Sequence, residues 1–295
     1  MRMLPRCIGL FLAACLLASA QAQASSIEVK AVRYPAWVEN GGRKTPLQPG
    51  MQARASDVVA SGEDARILFS LADGSEVRLG QNARLSIGRI DIVQTGGGVD
   101  LDMGLSLLVG HFRYAATTLS KLTNRRKLDL QLSTSTIGIR GTDYWAMTDK
   151  EHDAVCLFEG AVEVQTQEKE SITLDQPTAF WMRYFDKPAQ APGNATAAQL
   201  AQFLGWVELA PGSGVAIADG RWRLIVGVEK NRSAAEALSK GLRERGYPAL
   251  VVKHTGQYEV RLDKFASRAD AEAQMKRLQA QSGLLGSEPK VVLTR

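Results

Sequence analysis

The last 75 residues, 221–295, write one phrase twice: apolar strand, polar turn, amphipathic helix. The first copy runs Leu224-Ile225-Val226-Gly227-Val228-Glu229-Lys230, then a helix opening at Ser233 and closing at Gly246. The second runs Val260-Arg261-Leu262-Asp263-Lys264, then a helix opening at Ser267 and closing near Gly283. Ser233 with Glu236, and Ser267 with Asp270, read as capping boxes, and Gly246 and Gly283 as C-terminal caps. Ala235, Leu238 and Leu242 line the first helix, and Ala271, Met275 and Leu278 the second, at spacings of three and four. With strands near 222–228, 249–254, 257–262 and 289–293, the order is βαββαβ. That is an α+β module: a four-stranded antiparallel sheet with both helices on one face.

Alternation along a strand assigns the faces. Leu224, Val226, Val228, Tyr258, Val260 and Leu262 are expected to point at the helices. Arg223, Ile225, Gly227, Gln257, Glu259, Arg261 and Asp263 are expected on the open face, which is the candidate binding surface. RNA-binding sheets of this topology stack bases on open-face aromatics. None stands at these positions, so no nucleic-acid partner is expected. The module is basic, with 15 Lys and Arg against 8 Asp and Glu, whereas residues 25–220 carry 19 against 23. The basic balance points to a polyanionic or mixed-charge polymer.

Residues 1–24 have the layout of a secretory signal: Arg2 and Arg6, an apolar run from Ile8 to Leu17, and small-residue cleavage sites at Ala18-Ser19-Ala20 and Ala22-Gln23-Ala24. Leu12-Ala13-Ala14-Cys15 also fits a lipid-attachment box, but Leu16-Leu17-Ala18 continues the apolar run where a polar tether is usual. An exported, periplasmic protein is expected, with no transmembrane segment after cleavage, because no later stretch nears ~20 apolar residues. Only Cys156 lies beyond the leader, in the apolar run Ala154–Phe158, which reads as a buried strand position.

From 25 to 175 the chain alternates in short runs cut by Gly and Asp turns. Residues 65–71, then Asp73-Gly74, then 76–79 form a hairpin signal, and 84–90, 128–132 and 161–164 alternate again. The expectation is an all-β domain, as a sandwich, roll or solenoid. Ile137-Gly138-Ile139-Arg140-Gly141-Thr142 reads as a tight strand-to-strand corner, with Arg140 hydrogen-bonding carbonyls or a carboxylate there. Residues 176–220 read as a linker, Pro/Ala-rich at 187–193 and broken at Pro211-Gly212-Ser213-Gly214, with one short helix over 196–209.

Histidines stand only at 111, 152 and 254, and no zinc-protease, paired-cysteine, serine-elbow or phosphate-loop pattern occurs. A non-enzyme is expected, with no catalytic residues, no metal and no cofactor.

Two stretches resemble known families. Asp57–Gly62, Leu71–Leu79, the phrase Ser135-Thr136-Ile137-Gly138-Ile139-Arg140-Gly141-Thr142-Asp143-Tyr144 and Phe158–Val164 resemble the FecR-like domain, over about 48–165. Members of that family sense outer-membrane transport and act on a cytoplasmic sigma factor through a transmembrane helix; the resemblance here implies a scaffold or partner-recognition domain. Trp222–Val228, Ala234–Leu242, Gly246-Tyr247, Gly256–Leu262 and Ala269-Asp270-Ala271 resemble the SPOR (sporulation-related repeat) domain, over about 221–295. That resemblance implies binding to peptidoglycan glycan strands lacking stem peptides, often at division septa. The implied glycan-binding positions are Arg223, Ile225, Gln257, Glu259 and Arg261, where Ile225 replaces the family's usual Gln and Glu259 a frequent basic residue. The alternative is an envelope signalling or assembly factor whose two domains both bind proteins.

Overall fold

A computed structural model describes residues 26–95, 98–117, 123–281 and 283–294, without the side chains of 123, 124 and 140–142. The signal-like leader, Cys15 and the side chain of Arg140 therefore lie outside the described residues. Up to residue 195 the described elements are all strands: β1 (Ser26–Arg33), β2 (Ala36–Asn40), β3 (Arg43–Pro46), β4 (Gln52–Arg54), β5 (Val58–Ser61), β6 (Arg66–Ser70), β7 (Glu76–Leu79), β8 (Arg84–Thr95), β9 (Gly98–Ala115), β10 (Thr123–Gln131), β11 (Ser135–Thr148), β12 (His152–Thr166), β13 (Ser171–Leu174), β14 (Ala179–Tyr184) and β15 (Gly193–Asn194). There follow α1 (Ala197–Val207), β16 (Val215–Ile217), β17 (Trp222–Glu229), α2 (Arg232–Glu244), β18 (Leu250–His254), β19 (Gln257–Phe265), α3 (Arg268–Gln279) and β20 (Lys290–Leu293).

The Asp73-Gly74 turn joins β6 to β7 as the sequence implies. Ser70 pairs with Glu76, Gly74 sits at φ +80°, and the Asp73 carboxylate accepts the Ser75 amide at 3.0 Å. No described helix covers most of this domain, so its sheet has to bury one face against itself. It does so by bending its longest strands. At Gly110, β9 exchanges neighbours, leaving β8 and β10 for β7 and β11. Its φ is +105°, and a Cβ there would meet Ala83 at 2.6 Å, so only glycine fits the bend. The corner expected at 137–142 exists, but inside one continuous strand. β11 pairs with β10 through Gly138, shifts register between Arg140 and Asp143, and pairs with β9 from Asp143 onward.

The segment 176–220 is built into the fold rather than strung between domains. β14 pairs with β12, and α1, capped by the Thr196–Gln199 box, lies on β9 and β11. Phe203 stacks on Trp145 at 4.1 Å and Trp206 on His111 at 4.3 Å. Burial, with the Arg66 charge as a second cause, pushes the His111 imidazole down to about 4. Cys156 is buried under the same patch, and burial raises its thiol to about 12. β16 then pairs with β1 on one side and touches β19 on the other, through Ala216 and Phe265.

The C-terminal module has the expected βαββαβ order, with antiparallel neighbours β20-β17-β19-β18. Leu224, Val226, Val260 and Leu262 meet Ala235, Leu242, Ala271 and Leu278 of the helices in its core. The cap of α2 differs from expectation. Asn231, not Ser233, accepts the Ala234 amide at 2.8 Å, and Glu236 pairs with Arg232 at 2.7 Å instead of reaching back. Two candidate caps two residues apart compete, and the earlier one gains extra helix. Ser267 caps α3 as expected, accepting the Asp270 amide at 3.1 Å.

The two domains share one sheet and one core. Tyr34 lies 6.4 Å from Phe265 and 6.5 Å from Tyr247, ring to ring. Ala36 donates its amide to the Gly246 carbonyl at 3.1 Å, and a Cβ on Gly246 would meet the Trp37 ring at 2.9 Å. Buried Asp270 accepts the amides of Gly214 and Val215 at 3.0 and 2.9 Å, fixing β16 to α3. Arg277 bridges to Asp64 at 3.4 Å and Lys264 to the Pro49 carbonyl at 3.1 Å.

Candidate functional site

β19 is the central scaffold of the open face, because cross-strand partners in an antiparallel ladder share a side. Along it run Gln257, Glu259, Arg261 and Asp263. Opposite Arg261 stand Ile225 and Leu250, and opposite Glu259 stand Val228 and Val252. Lys290 faces Ile225 and Val292 faces Arg223 from β20. Arg223, Ile225, Gln257, Glu259 and Arg261 are thus gathered on one surface.

Their environments differ. Asp263 accepts from Arg223 Nε at 2.5 Å and lies 3.2 Å from Arg261 Nε, so one carboxylate holds two guanidiniums. The hydrogen bonds to Asp263 set the Arg223 plane, while Arg261 is held by proximity of charge, and the carboxylate offsets half of the pair's positive charge. Ile225 is only 3% exposed and Glu259 only 9%, so both sit low between taller neighbours, while Gln257 stands free at the hairpin end. Leu250, 42% exposed, is the large apolar group on the rim.

Two assignments change. Ile225 pairs with Arg261 and Gly227 with Val260, so the strand carries an extra residue at Val226. That bulge reverses the phase beyond it. Gly227 faces the helix side, where its Cβ would meet Leu238 at 3.1 Å, and Val228 joins the open face opposite Glu259. β19 likewise runs past the end expected near residue 262. A second register shift places Lys264 at φ +70° and carries the strand on to Phe265. Strict alternation missed Val228, Leu250, Val252, Lys290 and Val292; pairing register was the signal that would have found them.

Among the described residues no cluster of three His, Cys, Asp or Glu could hold a metal, and no helix is long and apolar enough to cross a membrane. What the surface can do is bind. Guanidinium donors, an amide and low apolar ground between them suit a chain of hydroxyls and acyl carbonyls.

This architecture, an all-β domain fused to a βαββαβ module, agrees with sequence-family comparison. Residues 57–163 match the FecR protein family and residues 218–287 match the SPOR domain. The chain therefore carries a FecR segment followed by a SPOR domain, in that order. No curated protein matches it significantly. Two crystal structures of an anti-sigma-factor candidate from Parabacteroides distasonis ATCC 8503, at 2.50 and 1.65 Å resolution, overlap 81% of this chain and 98% of theirs. Identity is 16% and the TM-score 0.40 for both, a likeness that carries no argument about fold or function.

Proposed function

We propose that this is an exported, non-catalytic envelope protein of the periplasm whose SPOR domain binds peptidoglycan glycan strands through the open face of β17–β20. The carrying observation is the gathering of Arg223, Gln257, Glu259 and Arg261 around Ile225 within a segment that matches the SPOR domain. In this reading Arg223 and Arg261, oriented by Asp263, donate to sugar hydroxyls and acyl carbonyls. Gln257 and Glu259 add polar contacts, and Ile225 forms the buried apolar base beneath them. The FecR domain serves as scaffold or partner-recognition unit.

The test is sedimentation of the full-length protein with sacculi stripped of stem peptides by amidase. The whole chain is required, because cutting before residue 221 would bare Tyr247 and Phe265. Co-sedimentation that falls at least about fivefold in Arg223→Ala/Arg261→Ala supports the reading, since each charged hydrogen bond lost is of the order of 1 kcal/mol. Unchanged sedimentation in that variant, or none in the wild type, removes it. A second reading, an envelope signalling factor whose domains both bind proteins, draws on the apolar trio Ile225, Leu250 and Val252. Crosslinking that captures an envelope protein at Leu250 but no muropeptide would favour it.

A further inference from the structure

The outer face of the FecR domain carries a pocket that the SPOR reading does not use. β10 and β11 pair only from Asp129↔Gly138 to Gln131↔Thr136, and below that they part as β11 turns toward β9. In the opening lies a cavity of about 510 Å³, with Gly138, Ala161 and Thr173 along it, Lys127, Asp129 and Glu163 on its rim, and the core residues Leu128, Ile139 and Val162 behind it. Convergent polar groups around a cleft of this volume are a feature of small-ligand sites.

The pocket continues sideways. In register across the sheet, Glu163, Gly138, Asp129, Gly104 and Arg89 stand side by side. A second cavity of about 280 Å³ lies over Gly104, edged by Ser106, Gln131 and Thr136. Neither glycine is demanded by the backbone. Both lie outside the left-handed region, and a Cβ would meet nothing closer than 3.8 Å at Gly104 or 4.0 Å at Gly138. Glycine inside a strand weakens it. What the two absent side chains leave is room beside Asp129.

The charges around the furrow already have partners, ionic for Arg89 and Lys127 and a neutral hydroxyl for Glu163. Arg89 is 2.5 Å from Asp102, Lys127 3.4 Å from Asp129, and Glu163 accepts from Ser171 at 2.6 Å. An ionic ligand would have to break these pairs. The next register row carries uncharged groups, Ser106, Gln131, Thr136 and Gln165, with Ser106 Oγ donating to Gln131 Oε1 at 3.4 Å. The four strands β9–β12 put about 15 Å between the outer two of these groups, at ~4.8 Å per strand.

We propose that this furrow is a second glycan-binding surface, taking a neutral oligosaccharide of N-acetylated hexosamines laid across β9–β12. One ring would lie over Gly138 and the Ala161 methyl, with hydroxyl and acetamide groups meeting Asp129, Glu163, Thr173 and the Gln131 and Gln165 amides.

The experiment titrates soluble β-1,4-linked N-acetylglucosamine hexamer into full-length protein carrying Arg223→Ala/Arg261→Ala, so that the SPOR face is disabled. Expected is saturable binding that Gly138→Leu weakens at least about tenfold, the usual scale for filling a fitted pocket. Gln131→Ala/Gln165→Ala is expected to weaken it about threefold or more, one to two lost neutral hydrogen bonds. Should Gly138→Leu lower the unfolding midpoint, Gly104→Ser and the glutamine pair carry the same test without filling the strand gap. The proposal is overturned if these variants bind as the parent does, or if the parent shows no saturable binding. If hexamer binding is present in wild type and vanishes in Arg223→Ala/Arg261→Ala, the SPOR reading stands and the furrow falls.

Discussion

The open face of the C-terminal sheet and the outer face of β8–β13 are both flat and polar, yet they are made from opposite materials. On the first, long side chains reach across strands and tie Arg223, Asp263 and Arg261 into one network. On the second, the distinctive feature is missing side chains, at Gly104 and Gly138, with Arg89 and Lys127 paired to carboxylates along the edges. The contrast teaches that a sheet surface can be tuned by charge or by volume. The first is expected to answer to salt and charge reversal, the second to steric filling. Both sit on one body, because β16 stitches the sheets together and Tyr34 shares a core with Phe265 and Tyr247.

That shared body gives the largest expected effect. Phe265 is buried and packs against Tyr34 across the domain seam. Phe265→Ala should cost about 3–5 kcal/mol, as for other large-to-small changes in a core. Calorimetry should show one cooperative transition in the wild type, moved down as a whole in the variant. Two transitions in the wild type would separate the faces and end the idea that they are held at fixed geometry.

Acid should loosen the same body from the other side. His111 is held at about 4 in the fold, below its ordinary 6.5, chiefly by burial and then by Arg66. Between those values the unfolded chain binds the extra proton, so stability rises with pH. It is fully present above pH 6.5, is lost as pH falls, and the loss is complete near pH 4. About 2 kcal/mol should disappear between pH 7 and pH 5 through this group. His111→Gln, which cannot titrate, should flatten that slope in urea midpoints measured against pH; a slope of unchanged steepness would assign the acid sensitivity elsewhere.

Asp263→Asn separates the charge-tuned face from the volume-tuned one. It releases two guanidiniums and should strengthen attachment to peptide-free sacculi by about threefold, with steeper salt dependence, the usual scale for exposed charge. Binding through the furrow should not move. A loss of sacculus binding would mean that orientation of the arginines by Asp263 outweighs their free charge.

Much of this was legible in residue order, for reasons that mark where reading fails. Asp73-Gly74 fixes a turn by itself, and Ser267 caps its helix with a residue three positions away, so both are local facts. The helix faces of α2 and α3 follow from period alone. Bulges are different. The extra residue at Val226 depends on how β17 meets β19 about 35 positions later, and nothing within the strand announces it. Pairing register puts Arg223, Ile225, Gln257, Glu259 and Arg261 on one face, but the burial of Ile225 and Glu259 depends on neighbouring strands and cannot be read from alternation. The furrow was illegible for the same reason, since its floor and rim come from β9, β10, β11, β12 and β13. A stretch rich in Pro, Ala and Gly read as a linker, whereas His111 and Trp145 on distant strands give α1 a place to dock.

The smallest expected effect tests the contrast most directly, because it asks what a glycine is for on each face. Gly227 lies in the C-terminal sheet with its Cβ direction blocked by Gly286 at 2.8 Å and Leu238 at 3.1 Å. Gly138 has nothing nearer than Asp129 Oδ1 at 4.0 Å and no left-handed φ. Replacing glycine by alanine in a strand gains about 0.5–1 kcal/mol when the methyl has room. Gly138→Ala should therefore raise the unfolding midpoint slightly, while Gly227→Ala should lower it, because backbone has to move. Opposite signs would mean that the first glycine is kept for space outside the fold and the second for packing within it. If Gly138→Ala also destabilises, the open strand gap is a requirement of the β10–β11 corner, and the volume-tuned half of the comparison loses its basis.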